Sequence, residues 1–501
     1  MRAAVAAFAA AVTLLCATAA VATPLDDYVN MPDPNFNYVD TGLRRGGNGW
    51  TGYVYNMTSQ AWLTPEDSSQ PIWWHWLVII IPHDVVVNRS SALLYITGGD
   101  NRDTTIHGAP SDHSEDLLIA SNVAVNSRTA AAVLFQVPNE PIRFPVDPFH
   151  LDRTEDAAIA LTWWYYLQNT DKPYWILELP MTKAGVRALD AMEKIIPKYT
   201  GGGNVSKFVV AGASKRGWTT WLVGAVDKRV LAIAPIVLDA VNVVAFAHRQ
   251  WRMYGAWSFA LQDYYKMNIT AQWDNPAMTK LMEIIDPWYY LDRLTMPKYA
   301  LNAGGDEFQM PDDQRHWGHD TVGPMHYSLV KNAEHSMITG VFEVLQGLGA
   351  WVQALVNDYT PPTYTWSHNA TNGDIIVNTP VAPSKITVTW SDSAEGVSQG
   401  RRDFRWAAIG TDPCWVKVFG ACLRPLLWTT SDSEGLTPIN ATAWKVHMDA
   451  PPQGWRAFTM ELHWPNPTGP DDFYFTAPAS VVPPTYPFPD CSGEACKGTL
   501  V

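Results

Sequence analysis

A serine stands at the turn of a strand–turn–helix pattern. The segment from Phe208 to Trp218 reads FVVAGASKRGW, with an apolar run before Ser214 and a helical pattern after it. This context is typical of a nucleophile whose oxygen is exposed at a helix start, where the N–H of Lys215 can donate to an oxyanion. The second glycine of the usual Gly-x-Ser-x-Gly pattern is displaced to Gly217. A tight turn with an incidental serine is therefore the alternative interpretation.

A carboxylate and a histidine follow two later predicted strands. Asp306 comes after the strand at residues 299–303, and His335 comes after the strand at residues 325–331. The order serine, acid, histidine is that of α/β-hydrolases and differs from the orders in chymotrypsin and subtilisin. We predict that His335 takes the proton of Ser214 and that Asp306 orients His335. Glu307 is an alternative acid, and a polar surface role is the alternative for each loop residue.

Three further features of the sequence bear on catalysis and on the substrate. Gly99 follows the early strand at residues 92–97, where this fold places its second oxyanion donor, although a plain turn would look the same. Lys215 and Arg216 either favour an anionic substrate or pair with a buried carboxylate. The aromatic runs at residues 163–166 and 288–290 either line a cleft or belong to the core.

We expect no metal and no cofactor, since no histidine pair has ligand spacing.

The N-terminus has the pattern of a secretory leader. Residues 1–22 contain Arg2, an apolar run and a small-x-small cleavage site, and the run is too short to span a bilayer. We therefore expect secretion, no membrane span and use of several N-glycosylation sequons, which lie at Asn56, Asn88, Asn204, Asn268, Asn369 and Asn440. The formal net charge of −14 argues against nucleic acid or an anionic membrane as a partner.

Four cysteines remain after the leader, in two close pairs. Cys414 and Cys422 form one pair, and Cys491 and Cys496 form the other. An even number in a secreted chain favours disulfides, and proximity favours the local pairing among three connectivities. Zinc is the alternative, but no histidine lies at finger spacing beside either pair.

The secondary-structure pattern changes once along the chain. Residues 23–358 are a predicted α/β domain with an N-terminal extension. Regular strand patterns begin at residue 73 and helical patterns then interleave with them, which predicts a mostly parallel sheet covered by helices on both faces. Residues 358–362 are a predicted linker. Short strands separated by turn signals then fill residues 363–477 and predict an all-β sandwich. A proline-rich tail with one cysteine pair occupies residues 478–501.

The serine, acid and histidine segments resemble those of the PhoPQ-activated pathogenicity-related protein family. The residues that carry the resemblance are GASKRGW at 212–218, GDEF at 305–308 with PDD at 311–313, and NAEH at 332–335. The start of the mature chain, TPLDDYV at 23–29, resembles the eukaryotic branch, and the likeness extends from about residue 24 to 460. The resemblance implies an α/β-hydrolase fold with Ser214, Asp306 and His335 at the triad positions.

Three functions remain open at this stage. The triad favours a secreted serine hydrolase with an ester or peptide substrate. The eukaryotic branch implies a secreted autocrine signal that represses proliferation and repels cells, with a cell-surface receptor as its partner and an idle triad. The abundance of tryptophan alone suggests a carbohydrate-binding or adhesive protein. A shared fold does not choose between the first two.

Overall fold

The structure is a computed structural model that describes residues 22–501 apart from residues 88, 394–399, 410–413, 415, 419 and 425. Residues 1–21 of the predicted leader and the sequon at Asn88 lie outside the described residues.

The N-terminal part alternates strands and helices. Its strands are β1 (Asn37–Gly47), β2 (Trp50–Ala61), β3 (Ile72–Pro82), β4 (Ser91–Ile96), β5 (Ala131–Leu134), β6 (Ile142–Arg143), β7 (Asp152–Arg153), β8 (Lys207–Ala213), β9 (Val230–Ile236), β10 (Lys298–Ala303) and β11 (Met325–Val330). Its helices are α1 (Pro24–Asn30), α2 (Glu115–Ser127), α3 (Glu155–Gln168), α4 (Glu178–Ile195), α5 (Lys215–Val226), α6 (Val243–Tyr254), α7 (Gln262–Lys266), α8 (Pro276–Ile285) and α9 (Val341–Val356).

Nine of these strands form one sheet in the order β1-β2-β3-β5-β4-β8-β9-β10-β11. Within this sheet β5, β4, β8, β9, β10 and β11 pair in parallel, whereas β1, β2 and β3 add to them in antiparallel fashion. The crossing of β4 and β5 and the antiparallel edge give the chain an α/β-hydrolase fold. Because β8, β10 and β11 run in the same direction, their carboxyl ends meet at one edge of the sheet.

The central strands are apolar on both faces, as a sheet covered by helices requires. Every residue of β4, β5 and β10 is buried. The segment Ile338–Val356, which contains α9, has 19 residues with a mean hydropathy of 1.2 over an 18-residue window, and is long enough to cross a membrane. Leu348 and Trp351 of α9 are fully buried within the protein, so α9 packs here as a core helix.

The C-terminal part consists of antiparallel sheets. One sheet has the order β12-β13-β20-β19, a second contains β18-β14-β21-β22 with β23 paired to β21, and a third has the order β15-β17-β16. The strands are β12 (Thr365–His368), β13 (Ile375–Asn378), β14 (Lys385–Asp392), β15 (Ala407–Ala408), β16 (Lys417–Val418), β17 (Ala421–Leu423), β18 (Thr429–Ser431), β19 (Leu436–Asn440), β20 (Ala443–Val446), β21 (Arg456–Trp464), β22 (Phe473–Thr476) and β23 (Ser480–Val482).

Two disulfides join the cysteines in the local pairing. Cys414 bonds to Cys422, and Cys491 bonds to Cys496. His248 lies close enough to Cys491 and Cys496 to suggest a metal site, but the two sulfurs are bonded to each other and are not free ligands. This is the one such group among the residues that the structure describes.

The helix α2 has no counterpart in the elements expected from the sequence. Its residues, EDLLIASNVAVNS, include several weak helix formers. The helix lies against β3, β5 and α9, with Leu117, Ala120 and Val123 fully buried. Packing of its apolar face, rather than intrinsic propensity, accounts for the helix.

Candidate active site

Ser214 occupies a strained turn between β8 and α5. Its backbone has φ 58° and ψ −128°, a conformation that residues with a side chain rarely adopt. The N–H of Ser214 donates to the carbonyl of Ile236 at 2.9 Å, and the N–H of Trp218 donates to the carbonyl of Ser214 at 3.1 Å. The turn leaves the hydroxyl of Ser214 at the surface of two cavities.

Two glycines make the sharp turn sterically feasible. A Cβ atom on Gly212 would lie 2.7 Å from the carbonyl oxygen of Arg216 and 2.9 Å from that of Ile96. A Cβ atom on Gly217 would lie 3.0 Å from the carbonyl oxygen of Ile236. Strand and helix can therefore approach this closely only because both positions lack a side chain. The displaced glycine of the sequence pattern, Gly217, thus contributes to this close packing.

His335 connects the serine to the acid. Its Nε2 atom lies 2.9 Å from the hydroxyl oxygen of Ser214, and its Nδ1 atom lies 2.9 Å from each carboxylate oxygen of Asp306. Asp306 is buried and follows β10, whereas His335 is partly buried and follows β11. The structure therefore brings the three predicted residues together in the order that proton transfer requires.

Backbone donors fix the orientation of Asp306. Its Oδ1 atom accepts the N–H of Phe308 at 2.7 Å and the N–H of Gln309 at 3.1 Å. The ring of Phe308 also lies against His335, with 4.4 Å between the ring centroids. Both side chains of the acid–histidine pair are thus held by the short segment that follows β10.

The C-terminal part supports the same segment. The N–H of Trp406 donates to the carbonyl of Gly305 at 2.9 Å. A Cβ atom on Gly304 would lie 2.5 Å from the indole nitrogen of Trp428, and the ring of Trp406 covers Gly305. These contacts join distant parts of the chain, so the sequence pattern around Asp306 gave no signal for them.

The carboxylate of Asp306 favours the protonated, positively charged form of the His335 ring. Burial alone would lower the pKa of His335, but the adjacent Asp306 carboxylate outweighs it and raises that pKa above its ordinary value. Glu307 does not replace Asp306 as the partner of the ring. Its carboxylate accepts the backbone N–H of His335 at 3.1 Å. Burial, together with the charge of Asp306, raises the pKa of Glu307 to about 7.

Lys215 and Arg216 both pair with carboxylates. The ammonium of Lys215 lies 2.7 Å from Glu155 and 3.0 Å from Asp156, and the guanidinium of Arg216 donates twice to Glu155 at 2.7 Å. Both cations are buried. Of the two alternatives raised by the sequence, pairing with nearby carboxylates is the one that the structure contains.

Gly99, the predicted second oxyanion donor, lies in the loop after β4. It has φ 118° and packs beside Gln136, and it is not among the described residues that line the two cavities at Ser214. Thr97 of the same segment lines one of these two cavities, but its N–H already donates to the carbonyl of Leu134 at 2.8 Å. The role of Gly99 as second oxyanion donor stays a prediction, as does that of the Lys215 N–H.

Known proteins are similar to this chain in sequence. The chain matches the sequence model described as PhoPQ-activated pathogenicity-related protein over residues 25–405. It is 36% identical over 485 residues to autocrine proliferation repressor protein A of Dictyostelium discoideum, which covers 94% of this chain and 92% of that protein.

Similar solved structures include two esterases. An acetyl xylan esterase from Paenibacillus sp. R4 is 13% identical with a TM-score of 0.42, covering 67% of this chain and 92% of that one. Acetyl xylan esterase 1 from Thermoanaerobacterium sp. JW/SL YS485 is 12% identical with a TM-score of 0.42, covering 67% and 94%. Identities this low carry no information about the substrate of this chain.

Gly212→Ala tests the close packing at the turn. The added Cβ meets two backbone carbonyls that cannot rotate away, so we expect a loss of about 1–3 kcal/mol in the free energy of unfolding. Urea denaturation measures it. Gly349→Ala is the matched control, since Gly349 lies in α9 with nothing within 4 Å of the added atom. There we expect a gain of about 0.5–1 kcal/mol, and equal effects of the two changes would refute the packing argument.

Asp306→Asn tests the electrostatic link to His335. The ring must be neutral to accept a proton, so the rate of any Ser214-dependent reaction should fall as pH drops through the raised pKa of His335. Removing the Asp306 charge lowers that pKa and moves the acid limb of the pH–rate profile to lower pH. We also expect the rate itself to fall by about 10³–10⁴-fold. An unmoved acid limb would show that Asp306 does not set the pKa of His335.

Proposed function

The chain belongs to the PhoPQ-activated pathogenicity-related protein family, and we propose that it is a secreted serine hydrolase that cleaves an ester or peptide bond outside the cell. The observation that carries the proposal is the pair of hydrogen-bond distances at His335, 2.9 Å to Ser214 on one ring nitrogen and 2.9 Å to Asp306 on the other. A serine next to a base that is itself oriented by a buried acid is the arrangement of an activated nucleophile.

The proposed reaction has two halves. The oxygen of Ser214 attacks the substrate carbonyl while Nε2 of His335 takes its proton, and Asp306 stabilises the charged ring. The N–H of Lys215 at the start of α5 donates to the oxyanion, and Gly99 is the proposed second donor. His335 then protonates the leaving group. Water, activated by the same ring, releases the acyl group from Ser214.

The proposal of secretion rests on separate features. The leader pattern of residues 1–22 and the two disulfides favour an oxidising compartment. Three of the described sequon asparagines, Asn204, Asn369 and Asn440, are exposed, and Asn56 and Asn268 are partly buried. We propose glycosylation first at the exposed three, since a glycan requires surface. The division into a hydrolase domain over 23–358, a β-sandwich over 363–477 and a tail remains a proposal.

A second function is favoured by the relative of 36% identity, whose name is autocrine proliferation repressor protein A. In this alternative the chain is an extracellular signal that represses proliferation and repels cells by binding a receptor at the cell surface. The hydrolase scaffold then presents a binding surface, and the triad does no chemistry. The alternative needs no change in the geometry of Ser214, so only a functional assay separates the two.

Ser214→Ala tests the enzymatic proposal. Hydrolysis of p-nitrophenyl acetate by the secreted protein should fall by at least about 10³-fold, since the nucleophile is lost, while thermal unfolding stays unchanged. Ser433→Ala is the matched control, because Ser433 is an exposed serine in the turn between β18 and β19. It should keep the wild-type rate. Equal rates in Ser214→Ala and wild type would refute the mechanism.

A comparison of wild type with Ser214→Ala in a growth assay tests the signalling alternative. If the chain acts as a signal without catalysis, Ser214→Ala added to cultures of the producing cells represses their growth as strongly as the wild type does. Growth repression that disappears together with hydrolysis would instead make the signal enzymatic.

A further inference from the structure

Two cavities of unequal size meet at the candidate nucleophile. Ser214, Lys215 and His335 line both of them. A carbonyl attacked by Ser214 carries two substituents, an acyl group and a leaving group, and each must occupy space next to this serine. The two cavities are the spaces that the structure offers, so their size and chemistry bear directly on the substrate.

The smaller cavity is apolar. Its volume is about 70 Å³. Apart from the residues at the nucleophile, Asp156 and Gln309, it is lined by aliphatic and aromatic side chains, which include Trp163, Trp218, Ala247, Leu261 and Tyr264. The charges at its edge are matched, since Asp156 pairs with Lys215 at 3.0 Å and also accepts the hydroxyl of Tyr264 at 3.0 Å.

The size of this cavity limits its occupant. A cavity of about 150 Å³ holds benzene, and the smaller cavity here has less than half that volume. It therefore suits an uncharged aliphatic group smaller than a phenyl ring. A charged group would lose its hydration without gaining a free partner, because the cation and the acid at the edge already bind each other.

The larger cavity is more polar. Its volume is about 340 Å³. Thr97 and Ser336 contribute hydroxyls to it, and Glu115 and Asp116 contribute carboxyl groups from the first turn of α2. The rest of its wall is largely apolar. The oxygen atoms of these groups can accept hydrogen bonds from hydroxyl groups of a substrate. Burial raises the pKa of Asp116.

The position of the His335 loop indicates which cavity holds the leaving group and which holds the acyl group. His335 must hand its proton to the leaving oxygen, so the leaving group lies beside this loop. Ser336 and Met337, the next two residues of the loop, line the larger cavity, and neither of them lines the smaller one. The leaving alcohol therefore belongs in the larger cavity, and the acyl group belongs in the smaller one.

We propose that the substrate is an ester of a short aliphatic acid with a larger, polyhydroxylated alcohol. This inference rests on the proposed function and deepens it by naming the substrate class. The reaction adds water across the acyl C–O bond: the carbonyl carbon gains a hydroxyl group, and the leaving oxygen gains a proton. The acid and the alcohol are the two products, and no cofactor takes part.

The acyl side is tested with p-nitrophenyl acetate, butyrate and benzoate. We expect kcat/KM for the benzoate to lie at least tenfold below that for the butyrate, since a pocket rejects a group that it cannot hold by about 10–200-fold. Leu261→Ala widens the smaller cavity and should raise the benzoate-to-acetate ratio about tenfold. The matched control is Leu231→Ala, since Leu231 is half-buried in β9 and lines a separate groove; it should leave the ratio unchanged.

A second variant keeps the test decisive if Leu261→Ala does not fold. Ala247→Leu fills the smaller cavity and should lower kcat/KM for the butyrate relative to the acetate.

The alcohol side is tested with glycerol triacetate and hexyl acetate, which carry the same acyl group. We expect the glycerol ester to be hydrolysed faster.

Three outcomes overturn the inference. These are a benzoate as good as the butyrate in wild type, acyl ratios that both cavity variants leave unchanged, and a preference for hexyl acetate. Each still leaves a protein whose hydrolysis depends on Ser214, so the proposed function survives them. Hydrolysis that is absent, or equal in wild type and Ser214→Ala, would instead end the proposed function itself.

Discussion

The backbone of Ser214 is the constraint on which the site depends. A positive φ at a residue with a side chain persists only where the surroundings hold it. Here they do so through the bond from Ser214 to Ile236 and through the two close approaches at Gly212 and Gly217. The turn thereby joins β4, β8, β9 and α5 at one point. The same packing that stabilises the sheet also presents the hydroxyl of Ser214 to His335.

The unusual residue after this turn has a consequence for charge. Arg216 stands where a hydrolase elbow usually has glycine, and its guanidinium approaches Gly98 closely enough to leave no room there for a side chain. Together with Lys215 it places two buried cations beside Ser214. Glu155 and Asp156 neutralise both cations at 2.7–3.0 Å. The apolar cavity therefore lies next to a network of buried charges that are paired with one another.

The sequence predicts the central elements well and the surroundings of the site less well. Strand β8, helix α5 and the loops of Asp306 and His335 follow from local apolar patterns and turn residues, which act over a few positions. Helix α2, the support of Gly304 and Gly305 by Trp428 and Trp406, and the two cavities depend on contacts between distant segments. No local pattern encodes such contacts. The packing of Gly99 beside Gln136 is also a contact between distant segments, and the role of Gly99 as an oxyanion donor stays a prediction.

The central claim is that Ser214 is an activated nucleophile, and the most direct measurement is to locate a covalent adduct. The purified protein would be treated with diisopropyl fluorophosphate, digested, and mapped by mass spectrometry. The account predicts a single stoichiometric adduct on Ser214 in the native protein and none after denaturation, since activation requires the assembled His335 and Asp306. A folded protein that forms no adduct, or forms it on another residue, would contradict the account.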